Sequence, residues 1–219
     1  MPAEKKEKKS SDRALATKNH IETSFLRLMR HHHWDRITVK QLCDEAAVTR
    51  GTFYQYFSGI TDLMETIEND TICEIQTTLS KAMQNFKPSN VLFTSNFDRD
   101  FSIKPSHFTI TWFQYCQENS EKLYSLLNLE YSERLFVNRV EQIISHHISY
   151  TMKCEGLPND VFRRQYLNLY TGLYIKAFYS WMNDEEMKLL SPEDMALVVD
   201  SIRTGGIYTA RRTRMETFK

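Results

Sequence analysis

Apolar residues recur along this chain at the three- to five-residue spacing of amphipathic helices. Ala16, Ile21, Phe25, Leu28 and Met29 predict a first helix over about 12–30. Thr38-Val-Lys-Gln41 then spells a capping box, in which a threonine hydroxyl and a glutamine side chain satisfy each other's backbone amides. It opens a short helix, about 38–46, that buries Val39, Leu42, Cys43 and Ala46. Ala47-Val48 breaks the pattern, and Thr49 is the next N-cap, for a third helix to about Phe57. After Ser58-Gly-Ile-Thr61, the stripe Leu63, Met64, Ile67, Ile72, Ile75 and Leu79 predicts a long helix to about Phe86. Residues 87–105 show no period and predict a loop. Further helices are expected over about 106–118, 120–129, 131–154, 158–183 and 191–209, the last with proline at its first position after Ser191.

The expected fold is therefore all-α. Residues 1–12 form a flexible basic arm, 13–60 a three-helix domain, and 61–210 a helical bundle reached through the long helix. Composition supports this. Six Gly and five Pro in 219 residues are too few to punctuate a many-stranded sheet, while 41% hydrophobic residues are ample for a core. Cys43, Cys73, Cys116 and Cys154 are widely spaced with no CxxC pair, the pattern of reduced thiols in a cytoplasmic protein. The start, MPAEKKEKKS, has no apolar stretch behind its charges, and no apolar run reaches membrane-spanning length. No membrane partner is expected.

The 28 basic and 28 acidic residues cancel overall, yet residues 1–60 hold 11 of the basic and 7 of the acidic ones. A basic head on an acidic body suits an anion-binding module. The segment Val48–Phe57, "VTRGTFYQYF", sharpens that reading. Phe53 and Phe57 lie four apart on one helical face, aimed at a core with Ile21 and Leu42, while Arg50, Thr52, Gln55 and Tyr56 point elsewhere. Two short helices joined by a tight turn make a helix-turn-helix, whose second helix enters a DNA major groove. Arginine and glutamine suit guanine and adenine edges there, and hydroxyls and helix-terminal amides suit phosphates. Gly51 leaves room for close backbone approach.

The stretch "ITVKQLCDEAAVTRGTFYQYFSGITDLM", residues 37–64, closely resembles the DNA-binding region of the TetR family of bacterial transcription regulators. The resemblance covers about 50 residues, from Ala16 to Ile67. It implies a homodimer on double-stranded DNA, with Arg50 and Gln55 reading bases and Thr38, Thr49, Thr52, Tyr54 and Tyr56 gripping phosphates. Where the family turn carries glycine this chain has Ala47, and where it usually places a phosphate-binding lysine this chain has Ile60. Lys5, Lys6, Lys8 and Lys9 of the arm are expected to compensate by reaching DNA. Residues 168–202 also resemble the subgroup that includes an activator of dihydroxyacetone-kinase genes.

The resemblance further implies an effector-binding body that dimerises through its last two long helices. Tyr166, Tyr170, Leu173, Ala177 and Trp181 on one helix, with Met195, Val198, Val199 and Ile202 on the next, are the expected dimer interface. Trp112, Phe113, Tyr115, Tyr150, Tyr174 and Phe178 are the expected lining for a small apolar or aromatic effector. The same aromatics would serve equally as plain core. His31-His32-His33 splay around a helix end, and His146, His147 and Cys154 lack a fourth ligand, so no metal is expected. No catalytic constellation or cofactor motif stands out. The expected function is a ligand-responsive repressor; the alternatives are an activator or a regulator that answers to a protein partner.

Overall fold

The hydroxyl and proline start signals in the sequence mark real helix starts. A computed structural model describes residues 2–84, 104–127, 134–154 and 157–217, with side chains between 12 and 206, and shows nine α-helices and no strand among the described residues. They are α1 (Pro2–Leu28), α2 (Val39–Glu45), α3 (Arg50–Tyr54), α4 (Ile60–Gln84), α5 (His107–Glu118), α6 (Ser120–Leu127), α7 (Arg134–Cys154), α8 (Val161–Asn183) and α9 (Pro192–Thr217). Single 3₁₀ turns lie at Trp34–Arg36 and Met187–Leu189. Most of the loop expected at 87–105 lies outside the described residues. Thr38, Thr49, Ser106 and Asp160 each accept a backbone amide from within the first turn they cap.

The residues expected as a flexible arm form the first turns of α1 instead. Pro2 stands at the first helical position, and the Lys, Glu and Ala that follow are strong helix formers with no breaker among them. The side chains of the four arm lysines lie outside the described residues. Ala16, expected in the apolar stripe, is exposed, because the packed face of α1 begins only at Ile21.

The chain forms two compact units: residues 1–73 with 121–137, and residues 74–120 with 138–219. The first division thus falls at 73 rather than 60, and α6 belongs with the N-terminal helices. Ile21, Phe25 and Met29 of α1, Leu42 and Ala46 around α2, Phe53 and Phe57 around α3, Leu63, Met64 and Ile67 of α4, and Leu123 and Leu126 of α6 make the core of unit 1. Each of these side chains larger than alanine contributes about 1.5–3 kcal/mol by leaving water. Ser125 Oγ donates to the Leu26 carbonyl at 3.2 Å, and Arg30 pairs with Glu121 at 3.0 Å, fastening α6 to α1.

Unit 2 is built on Ile75 and Leu79 of α4, Phe108, Trp112 and Phe113 of α5, Ile144 and Ile148 of α7, Tyr174, Phe178 and Trp181 of α8, and Ala196 and Val199 of α9. A polar cluster is embedded in it, formed by Thr109, His147, Tyr174, Asp200 and Arg203. His147 stacks on Phe108 with ring centroids 3.4 Å apart and planes within 9°. Burial, then the Arg203 guanidinium and His146, depress its pKa to about 3.

That depression makes stability depend on pH. The unfolded chain binds a proton at His147 near 6.5, whereas the folded chain refuses it down to about 3. The contribution is complete above pH 6.5 and declines as pH falls through this window, by about 2 kcal/mol at pH 5. Urea unfolding at pH 7.5 and pH 5 is expected to show this loss, and His147→Leu to remove that share of it. An unchanged pH slope in the variant would show that His147 is protonated without penalty in the fold.

A candidate DNA-binding helix-turn-helix

Local hydrogen bonding explains why the chain turns so sharply between α2 and α3. Ala46 is the C-cap of α2 and Ala47 follows at φ 49°, in the left-handed region. The Val48 amide then bonds to the Cys43 carbonyl at 3.0 Å and the Ala47 amide to the Asp44 carbonyl at 3.3 Å. This pairing is a Schellman motif, whose left-handed position is usually glycine because a Cβ costs about 1 kcal/mol there. Alanine bears that strain here. The carbonyl of Ala46 is met from another helix: His20 Nε2 on α1 donates to it at 3.1 Å.

The expected helix at 49–57 is shorter than anticipated. α3 spans Arg50–Tyr54 and continues as a turn through Tyr56, ahead of the break at Ser58-Gly59. Its two faces divide as the spacing predicts. Phe53 and Phe57 are buried with ring centroids 5.8 Å apart, while Thr49, Arg50, Gly51, Tyr54 and Gln55 are exposed and Thr52 and Tyr56 half-buried. Tyr54 is 57% exposed, a large aromatic held in water beside an arginine. A Cβ on Gly51 would meet only Thr49 Oγ1, at 3.7 Å, so packing inside the protein does not demand glycine there.

Several of the hydroxyls already carry internal duties. Thr49 Oγ1 accepts the Thr52 amide at 3.1 Å and shares a 2.9 Å hydrogen bond with Thr52 Oγ1. Thr38 Oγ1 accepts the Gln41 amide at 3.2 Å and donates to Gln41 Oε1 at 2.8 Å. The proton expected to meet a phosphate from Thr38 is therefore spent on Gln41. Gln41 Oε1 also accepts the Thr38 amide at 2.9 Å, which fixes which end of the amide is oxygen and leaves Nε2 as the donor turned away from Thr38. Sequence reasoning used Gln41 only as a cap; the capping box itself was the signal that its Nε2 is a second donor. At Ile60, where α4 begins, the cap comes from Asp62, which accepts Ser58 N at 2.7 Å and Ser58 Oγ at 3.0 Å.

The other expected sites divide. Trp112, Phe113, Tyr115, Tyr174 and Phe178 are buried in unit 2, but Tyr150 is 44% exposed. It lies on the side of α7 opposite His147, Ile148, Thr151 and Met152, which face inward, and so it lines no interior. Tyr115 donates to Glu74 Oε2 at 2.9 Å; burial and that carboxylate push its hydroxyl pKa far up. Of the expected dimer residues, Tyr170, Ala177, Trp181, Met195 and Val199 are buried within one protomer. Trp181 even donates its indole N–H to the Leu190 carbonyl at 3.2 Å. Val198 and Ile202 are about half exposed, and Tyr166 and Leu173 partly so. Phe162, Leu169 and Leu197, which the sequence reading passed over, are exposed as well. Among the described residues no three potential ligands gather as a metal site, and no helix is long and apolar enough to cross a membrane.

Residues 26–67 match the family model for bacterial regulatory proteins of the tetR family. No curated protein matches the chain significantly in sequence. Among solved structures, one assigned to the TetR family of transcriptional regulators from Syntrophomonas wolfei is 18% identical, with a TM-score of 0.60 over 88% of this chain and 95% of that one. A TetR transcriptional regulator from Streptococcus agalactiae is 16% identical, with a TM-score of 0.55 over 89% and 97%. SmeT in complex with triclosan is 11% identical, with a TM-score of 0.60 over 87% and 91%. At these identities the structures establish the fold, and the family model covers the helix-turn-helix just described. Residues 26–67 are a DNA-binding domain of the bacterial tetR family, and the chain that carries them is a DNA-binding transcription regulator.

Proposed function

We propose that this regulator acts as a homodimeric repressor, placing α3 of each subunit in successive major grooves of a pseudo-palindromic operator and releasing it when unit 2 takes up a small effector. The observation that carries the reading is the exposed set Thr49, Arg50, Tyr54 and Gln55 on a short helix whose back is anchored by Phe53 and Phe57. Arg50 and Gln55 supply the donors and acceptor that discriminate bases, and Thr49, Tyr54 and the Gln41 Nε2 amide supply phosphate contacts. With isoleucine rather than lysine at position 60, one phosphate contact is missing from this set.

An apolar or aromatic effector would suit the buried aromatic residues of unit 2. The indole Nε1 of Trp112 is buried there without a hydrogen-bond partner among the described residues, a donor available to an acceptor on such a molecule. SmeT, of the same fold, is seen with triclosan, an aromatic compound. Release follows if the effector binds one arrangement of the dimer more tightly than the other.

Fluorescence anisotropy tests the reading helix. DNA from immediately upstream of the gene is titrated with wild type and Arg50→Ala between 50 and 200 mM salt. Wild-type binding is expected to be tight and to weaken steeply with salt. Arg50→Ala is expected to cost about 1–3 kcal/mol and to relax base preference at one position in each half-site. Binding indifferent both to sequence and to Arg50 would remove base reading and leave only a basic surface.

A further inference from the structure

We infer that His20, outside the helix-turn-helix pair and on α1, is a positioning residue for DNA recognition: it holds the strained turn that aims Arg50. The inference rests on α3 being the reading helix. His20 Nε2 donates to the carbonyl of Ala46 at 3.1 Å, across 26 residues of sequence. That carbonyl belongs to the peptide that immediately precedes Ala47, the residue at φ 49°. Two residues beyond Ala47 stands Thr49, the cap of α3, and then Arg50.

The carbonyls of Leu42, Cys43 and Asp44 are satisfied locally, by the amides of Ala46, Val48 and Ala47. The Ala46 carbonyl lies past the last of these bonds and finds its donor on α1. A carbonyl accepts, so the histidine nitrogen facing it must bear the proton. The orientation of one peptide plane is thereby tied to α1, whose Ile21 and Phe25 are fully buried anchors in the residues next to His20. With glycine at position 47 the turn would adopt its left-handed geometry unaided. With alanine there, alternatives with negative φ compete, and each would swing α3 away from its present direction. His20 selects among them.

His20 is itself exposed, so its loss opens no core cavity and leaves Phe53, Phe57 and Leu42 packed. That separates positioning from folding. The probe is a duplex selected by the wild-type protein from a random pool, compared with a scrambled duplex of the same length. His20→Ala is expected to lose about tenfold in affinity for the selected duplex, with affinity for the scrambled duplex and the melting temperature nearly unchanged. His20→Gln, whose amide is also a donor, is expected to recover most of that loss. In an Ala47→Gly background, His20→Ala is expected to cost less than threefold, because the turn no longer needs to be held. Equal losses on both duplexes, a drop in melting temperature matching the loss of affinity, or a full tenfold cost in the Ala47→Gly background would each overturn the inference. Arg50→Ala on the same duplexes distinguishes the two readings. If it too spares the selected duplex, α3 is not the reading helix; if it alone weakens binding, the reading helix stands and His20 has no positioning role.

Discussion

Asp200→Ala is expected to destabilise the protein by about 3–5 kcal/mol, the range for removing one member of a buried ion pair. Asp200 is 1% exposed and each of its carboxylate oxygens is occupied. Oδ1 accepts from Arg203 Nε at 3.1 Å and from Thr109 Oγ1 at 3.0 Å, and Oδ2 accepts the Ser106 amide at 2.6 Å. Thr109 has a single hydroxyl proton, and it goes to Asp200. The Ser106 hydroxyl, at 2.7 Å, must therefore donate to Thr109, while the Tyr174 hydroxyl lies 3.1 Å from Thr109 Oγ1 and also bonds to Asp200. Burial and the Asp200 charge hold the Tyr174 phenol well above its ordinary pKa, so its proton stays in place. Truncating Asp200 leaves the Arg203 charge buried and the proton order of the cluster without its terminus. Against a typical stability of about 5–15 kcal/mol, this is about a fifth of the total or more.

Urea unfolding monitored by circular dichroism measures the effect. The companion double variant Asp200→Ala/Arg203→Met removes both charges and is expected to recover part of the loss, since an apolar pair needs no solvation. A single-variant cost below about 1 kcal/mol would mean that Arg203 finds water or another acceptor and that the cluster is not tightly closed. A double variant no better than the single would place the cost in the Ser106 and Thr109 bonds rather than in the stranded charge.

Much of the head was legible in the residues because local rules decide it. A capping box needs only Thr38 and Gln41, a helix N-cap only Thr49, and the inward face of α3 only the four-residue spacing of Phe53 and Phe57. The positive φ at Ala47 was likewise readable, through the glycine usual at that place in the family. Contacts between distant residues were not. Nothing in the sequence around His20 announces the Ala46 carbonyl, and nothing near residue 109 announces Asp200. The dimer residues show a third kind of failure. α8 is apolar on two sides, and the spacing 166, 170, 173, 177, 181 drifts from one to the other. Periodicity finds apolar stripes, but it does not say which stripe the protomer keeps for itself.

The stripe left outside leads to the other large expected effect: Leu169→Asp should turn the proposed dimer into a monomer and lower operator affinity at least a hundredfold. Phe162, Tyr166, Leu169 and Leu173 follow one another at four, three and four residues, the spacing of a helix–helix seam. Phe162 and Leu169 are each 61% exposed, and on α9 Val198 and Ile202 are 50% and 51% exposed. Exposed apolar residues aligned on two long helices of one unit are the surface that a second copy is expected to cover with the same two-helix face, making four helices in all. An aspartate at the centre would be buried in that assembly without a partner. Because Leu169 is exposed within the protomer, the fold itself should tolerate the change. Trp181 would not serve, since its indole fills the protomer core and a loss there would report unfolding. Sedimentation equilibrium is expected to show wild type at twice 26.0 kDa and the variant at 26.0 kDa, with unaltered circular dichroism. The loss of DNA affinity then follows from linkage alone, because two half-sites are no longer held by one molecule, an effect of about 10²–10⁴ without any change at the reading helix. A variant that stays dimeric would move the interface off this face; one that becomes monomeric yet binds the full operator undiminished would show that each head reads its half-site independently.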